Sequence, residues 1–144
     1  MRVSECMTEK VAICSPDESI EKVAARMAEL DCGVVPLAED DKLVGVITDR
    51  DIAVRGVAHG KGPGTAARDV MSNEVLYCFE DQDLAEVSDN MAELKIRRMP
   101  VVDRNKNLVG ILSLGDIALG NGRAGADTIQ EISLQGGPHS QSAA

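Results

Sequence analysis

Two segments hold the residue types that can do chemistry: Gly45-Val46-Ile47-Thr48-Asp49-Arg50-Asp51-Ile52 and Gly110-Ile111-Leu112-Ser113-Leu114-Gly115-Asp116-Ile117. Each runs from apolar residues into a hydroxyl, Thr48 or Ser113, with an aspartate three residues on, Asp51 or Asp116. At a strand-to-helix passage this is first of all a capping pattern: the hydroxyl accepts from a free N–H of the first turn and the carboxylate reaches back to the N-cap N–H. The same geometry suits a nucleotide. A helix start offers unpaired N–H groups and the positive end of a dipole to a phosphate. The hydroxyl can donate to the same oxygens, and a carboxylate accepts from a pair of ribose hydroxyls. With one Tyr, one Phe and no Trp, a base held here lies mainly between aliphatic side chains.

The two segments close two copies of one pattern. Met7, Val11, Val23, Met27-Ala28-Glu29-Leu30 and Pro36 recur 64 positions on as Met71, Val75, Val87, Met91-Ala92-Glu93-Leu94 and Pro100. After one inserted residue, Leu43-Val44-Gly45 and Asp51-Ile52 recur as Leu108-Val109-Gly110 and Asp116-Ile117. Two copies are too few for a solenoid and predict a pseudo-symmetric pair with related clefts between the halves.

Each copy reads as strand, helix, strand, strand, helix, an α+β plan. Val11 to Cys14 is extended, and Ser15-Pro16-Asp17-Glu18 looks like a helix start with Ser15 as N-cap. Ile20, Val23, Met27 and Leu30 then share one helical face, and Cys32-Gly33 ends the helix. Val34 to Leu37 and Leu43 to Thr48 read as buried strands joined by a turn at 39–42, with a second helix from Asp49. The second copy predicts strands at 75–78, 99–102 and 108–113, a helix over 84–94 and another from Gly115. The domain boundaries that follow are 1–58, a Gly-rich linker at 59–66, a second copy at 67–119 and a polar tail at 120–144, with a short helix near 127–134.

The duplicated plan, Gly-apolar-apolar-[Thr/Ser]-x-x-Asp-apolar closing each copy and apolar-Pro-apolar in the middle strand, resembles paired cystathionine-β-synthase (CBS) domains, the Bateman module. The resemblance spans roughly residues 3–119 and implies two β-α-β-β-α repeats packed as a pseudo-two-fold pair, without an attached enzyme or transporter. It implies sensing of AMP, ADP or ATP (with Mg²⁺ where ATP is the ligand), less often S-adenosylmethionine, and face-to-face homodimers that act on a further regulated protein.

Carried over by position, the resemblance implies a first cleft of Thr48, Arg50 and Asp51 with Val75, Leu76, Arg97, Arg98 and Pro100. It implies a second of Ser113, Gly115 and Asp116 with Val11, Ala12, Gly33, Val34 and Pro36. The two are unequal: Arg97-Arg98 matches Gly33-Val34, and Arg50 matches Gly115. Arginine forks are strong phosphate partners, so the cleft assigned Arg50, Arg97 and Arg98 is expected to take a phosphorylated adenosine more tightly. The alternative is that Arg97 and Arg98 are simply solvated.

Composition excludes several classes. A net charge of −9 argues against nucleic acid or an anionic membrane as general partner, and no apolar run approaches the roughly 20 residues of a spanning helix. The four cysteines, Cys6, Cys14, Cys32 and Cys78, lack CxxC spacing and read as reduced core thiols of a cytoplasmic protein. His59-Gly60-Lys61-Gly62 lacks the spacing of a phosphate loop. Two histidines in Gly-rich loops make neither a metal site nor a catalytic inventory. The reading is a ligand-binding regulator without catalysis. The competing reading is a dimerising scaffold with vestigial clefts.

Overall fold

The computed structural model describes residues 1–9, 12–72 and 74–120. Helices and two small sheets alternate in an α+β chain: α1 (Ile20–Leu30), β1 (Val34–Glu39), β2 (Lys42–Thr48), α2 (Asp49–Asp51), β3 (Cys78–Phe79), α3 (Leu84–Leu94), β4 (Arg98–Val102), β5 (Leu108–Ser113) and α4 (Leu114–Gly120). The chain divides into two compact units whose membership crosses the sequence copies. Unit one takes residues 1–10, 76–105 and 109 onward; unit two takes 11–75 and 106–108. The lead segment of each copy therefore belongs to the unit built by the other.

In unit two, α1 buries Ile20, Val23 and Met27 on one face. Its N-cap is Ser19, whose hydroxyl accepts from the Lys22 N–H, so the helix begins later than Ser15-Pro16 predicts. The cause is long-range. The carbonyls of Pro16 and Glu18 accept from Arg68 and Ala67, and the Ser15 hydroxyl accepts from Asp17 N–H in a local turn. Residues 63–65, expected as a flexible linker, cap the helix instead: the Ile20 and Glu21 N–H groups donate to the carbonyls of Thr65 and Pro63. The helix ends on Asp31 in the left-handed region (φ 50°), one residue before the expected break. β1 and β2 form an antiparallel hairpin with Val34 opposite Thr48. Asp40 and Asp41, both with positive φ, make the tight turn. α2 continues as a wider π turn, Ile52–Gly56, and a 3-10 turn, Val57–His59. The core joins Ile20, Val23, Met27, Val35, Leu37 and Ile47 to Ala67, Val70 and Met71 of the following segment.

Unit one repeats the arrangement with β3 parallel to β4 and β4 beside β5. α3 occupies the expected 84–94 and buries Leu84, Val87 and Met91. The lead segment seats Val3 in this core with Cys78, Leu84, Met99, Leu112 and Ile117, and Thr8 pairs with Ile111 through two backbone bonds of 2.9 and 3.0 Å. The matched segment of unit two does the same, Ser72 N–H donating to the Val46 carbonyl. Gly110 and Gly45 make room for these segments. A Cβ on Gly110 would lie 2.8 Å from the Thr8 carbonyl, and one on Gly45 would lie 2.5 Å from the Met71 sulfur. The helix expected near 127–134 lies outside the described residues.

Candidate functional site

Both strand-to-helix junctions are built alike. β2 delivers Thr48 and α2 returns Asp51: the Asp51 N–H donates to Thr48 Oγ1 at 3.0 Å, and the Thr48 N–H donates to Asp51 Oδ2 at 2.9 Å. At the end of β5, the Asp116 N–H donates to Ser113 Oγ at 3.1 Å and the Ser113 N–H donates to Asp116 Oδ2 at 3.0 Å. These reciprocal bonds are capping boxes, so the structural use of the motif is realised twice. Each box engages one carboxylate oxygen and holds the aspartate half-buried at the start of a helix, with Oδ1 outside the box.

The surroundings differ. Asp51 Oδ1 stands 3.9 Å from Arg55 Nε, and Arg55 also donates to the Met71 carbonyl at 3.0 Å. The Asp49 N–H donates to the Gly33 carbonyl at 3.0 Å. A Cβ on Gly33 would lie 3.0 Å from an Asp49 carboxylate oxygen, so that side chain lies over the glycine. A second carboxylate therefore stands beside the first box. In unit one the matched bond runs from the Leu114 N–H to the Arg97 carbonyl, 2.9 Å. An uncharged leucine replaces Asp49, and two arginines replace Gly33-Val34. Arg97 and Arg98 are both exposed, with Arg98 opening β4.

Asp116 has a further partner that the motif does not announce. Thr8 Oγ1 lies 3.3 Å from both Asp116 oxygens. Nothing in the local sequence signals this contact, which joins residues 108 positions apart. The nearby Cys6 thiol is pushed above its ordinary range, chiefly by burial and next by the Asp116 and Glu5 carboxylates.

Of the other residues expected at a site, Pro36 and Pro100 are buried in β1 and β4, while Ala12, Gly33, Val34, Val75 and Leu76 are half-buried. Arg50 and Gly115 are exposed, and Val11 lies outside the described residues. Leu76 helps line an open pocket of about 250 Å³ between α3 and β3, with Met99, Tyr77 and Glu93. The expected grouping of Asp51 with Arg97 and Arg98 joins residues of different units. Inside unit one, the Arg97 backbone carbonyl accepts from Leu114 in the Ser113–Asp116 junction.

Among the described residues, no cluster of three or more His, Cys, Asp or Glu side chains is placed to hold a metal ion. No helix among them is long and apolar enough to cross a membrane.

Comparison with known proteins adds the following. The family described as the CBS domain matches residues 3–56 and 67–119. The CBS domain-containing protein YhcV of Bacillus subtilis is 42% identical over 117 residues, covering 81% of this chain and 83% of its own. The crystal structure of Hypoxic Response Protein I, a protein of Mycobacterium tuberculosis, was solved with two coordinated zinc ions. It superposes with a TM-score of 0.76 at 32% identity, over 83% of this chain and 98% of that one. The CBS domain pair of protein MJ0100, in complex with 5-methylthioadenosine and S-adenosyl-L-methionine, gives a TM-score of 0.73 at 26% identity, over 85% of this chain and 98% of that one.

Proposed function

The chain belongs to the CBS domain family, and on that premise we propose that it is a regulatory module that binds an adenine nucleotide (AMP, ADP or ATP) or a related adenosyl ligand and does not turn it over. The observation that carries this reading is the duplicated box. Each presents an aspartate, fixed by a reciprocal backbone bond, at a helix start where a ribose diol and a phosphate find complementary groups. The adenosyl ligands of the MJ0100 domain pair support the ligand class.

Two pairings of the arginines are open to this module. The sequence-based one sets Arg97 and Arg98 with Asp51. The bond from the Leu114 N–H to the Arg97 carbonyl favours the other, in which they serve a ligand whose ribose sits on Asp116. Charge points the same way. Asp49 and Asp51 both stand at the first box, where a phosphate meets two carboxylates and must rely on Arg50 and Arg55 to offset them. At the second box the matched position is Leu114, and its backbone bonds to Arg97, which is followed by Arg98 at the start of β4. An extra carboxylate beside the first box disfavours a phosphate there, by an amount that solvent screening of the exposed Asp49 reduces. We take the Asp116 box as the phosphate-bearing one. Mg²⁺ would arrive with ATP rather than on a dedicated cage.

Signalling requires that the ligand prefer one arrangement of the protein, and the shift is limited to that difference in affinity. The helical segments after each box expose Val54 (43%), Val57 (68%) and Leu119 (91%). They support a homodimer as the responsive assembly; a soluble, cytoplasmic setting and a regulated protein as the next partner complete the proposal. These exposed residues also support the second reading, a dimerising scaffold. Titration with AMP, ADP, ATP and S-adenosylmethionine separates the two: a sensor binds one of them, whereas a scaffold dimerises and binds none.

A further inference from the structure

Asp116 and Asp51 occupy matched boxes, yet among the described residues only Asp116 has a hydroxyl bonded to its carboxylate. Thr8 Oγ1 is 3.3 Å from Asp116 Oδ1 and 3.3 Å from Oδ2. Equal distances set it midway between the two oxygens, so that it bridges them while the Ser113 N–H bonds Oδ2 at 3.0 Å. A vicinal diol uses the same two oxygens, one hydroxyl to each. Ser72, 64 positions on from Thr8, turns its hydroxyl to the Glu74 carbonyl at 3.4 Å, and Asp51 Oδ1 faces Arg55 instead. Backbone bonds between Thr8 and Ile111 hold the threonine in place independently of its side chain, and Gly110 lets that strand approach.

We propose that Thr8 is a specificity-determining residue of the Asp116 box: its hydroxyl occupies the carboxylate edge that a ribose diol needs, and a diol ligand binds only by displacing it. The proposal rests on the adenosyl-ligand reading. It makes the lead segment a built-in competitor at one box and leaves the other without one. Ligands without a free diol do not meet this competition.

The test compares AMP with 2′,3′-dideoxy-AMP by calorimetric titration, in an Asp51→Asn background so that the Asp116 box reports. Thr8→Val removes the hydroxyl and keeps the branched shape. Thr8→Ala serves as a second variant if valine perturbs folding, and Thr8→Ser retains the hydroxyl. AMP is expected to bind Thr8→Val and Thr8→Ala roughly three- to tenfold more tightly than the parent, the scale of one net hydrogen bond. The dideoxy compound should show no change, and Thr8→Ser should resemble the parent. Unchanged or weaker AMP binding to folded Thr8→Val and Thr8→Ala overturns the proposal. If the parent and all variants fail to bind AMP while the wild-type protein binds it, the proposal for the Asp116 box is overturned; if the wild-type protein binds none of AMP, ADP, ATP and S-adenosylmethionine, the adenosyl reading itself fails. The two failures are distinguished by whether wild type binds.

Discussion

Leu114 donates its backbone N–H to the carbonyl of Arg97 at 2.9 Å, and this bond ties an arginine-bearing turn to the box that holds Asp116. The matched pair, Asp49 and Gly33, makes the same bond at 3.0 Å with a carboxylate and no arginine. One backbone contact thus appears twice, with an aspartate in one of its two positions in the first copy and an arginine in the second.

The first expectation concerns that charge. Arg98→Ala should weaken AMP binding about ten- to a hundredfold, the scale of a charge-assisted hydrogen bond, while adenosine binding barely changes. A double-mutant cycle should couple Arg98 to Asp116 and leave Arg98 and Asp51 additive. Coupling to Asp51 instead would restore the grouping read from the sequence.

A second expectation concerns how the lead segments dock. Gly110→Ala forces a Cβ to within 2.8 Å of the Thr8 carbonyl and 2.9 Å of the Met7 sulfur. Backbone cannot yield cheaply, so a loss of about 1–3 kcal/mol is expected in chemical denaturation. Gly45→Ala meets the Met71 sulfur, the flexible end of a side chain, with the Ser72 carbonyl farther off at 3.4 Å. It should cost less. Equal losses would show that Met71 is as immobile as backbone.

The boxes also stabilise the fold, whatever they bind. Thr48→Ala and Ser113→Ala each remove a hydroxyl that accepts a helix N–H and should each cost about 0.5–2 kcal/mol, recovered by Thr48→Ser and Ser113→Thr. Denaturant midpoints with circular dichroism give the comparison.

Alkali should unfold the protein through its buried thiols. Burial pushes Cys14 up to about 11 and Cys78 up to about 12, from an ordinary 9.0; a bond with Glu18 adds to the shift at Cys14. Because the folded thiols keep their protons after the unfolded ones lose theirs, this stability is complete below about pH 9. It then falls as the pH rises toward the folded values. The denaturation midpoint of wild type should decline through that window, and Cys78→Ala should flatten the decline. A wild-type midpoint constant from about pH 8 to pH 11 would contradict the assignment.

Some of this architecture is legible in the sequence and some is not, for physical reasons. α3 keeps its expected bounds because the spacing of Leu84, Val87 and Met91 is a local signal that the core satisfies. The boxes are local too, which is why Thr48 with Asp51 and Ser113 with Asp116 can be read three residues apart. The start of α1 is not local: Ser15-Pro16 has the right composition, but carbonyls in that turn serve Ala67 and Arg68 about fifty residues away. The Gly-rich segment misleads in the same way, since Pro63 and Thr65 are read as linker and act as helix caps. Matching the two copies shows that Arg97 corresponds to Gly33. It does not show which junction either residue touches. Thr8 is invisible for the same reason, because a lone threonine carries no mark of a carboxylate 108 positions on.

The most direct test of ligand binding is isothermal titration of the folded protein with AMP, ADP, ATP and S-adenosylmethionine, for wild type beside Asp116→Asn and Asp51→Asn. The account predicts micromolar binding of at least one of them, weakened at least tenfold by Asp116→Asn, on the scale of one or two lost charge-assisted bonds. No binding of any of the four to a folded wild-type protein would contradict it.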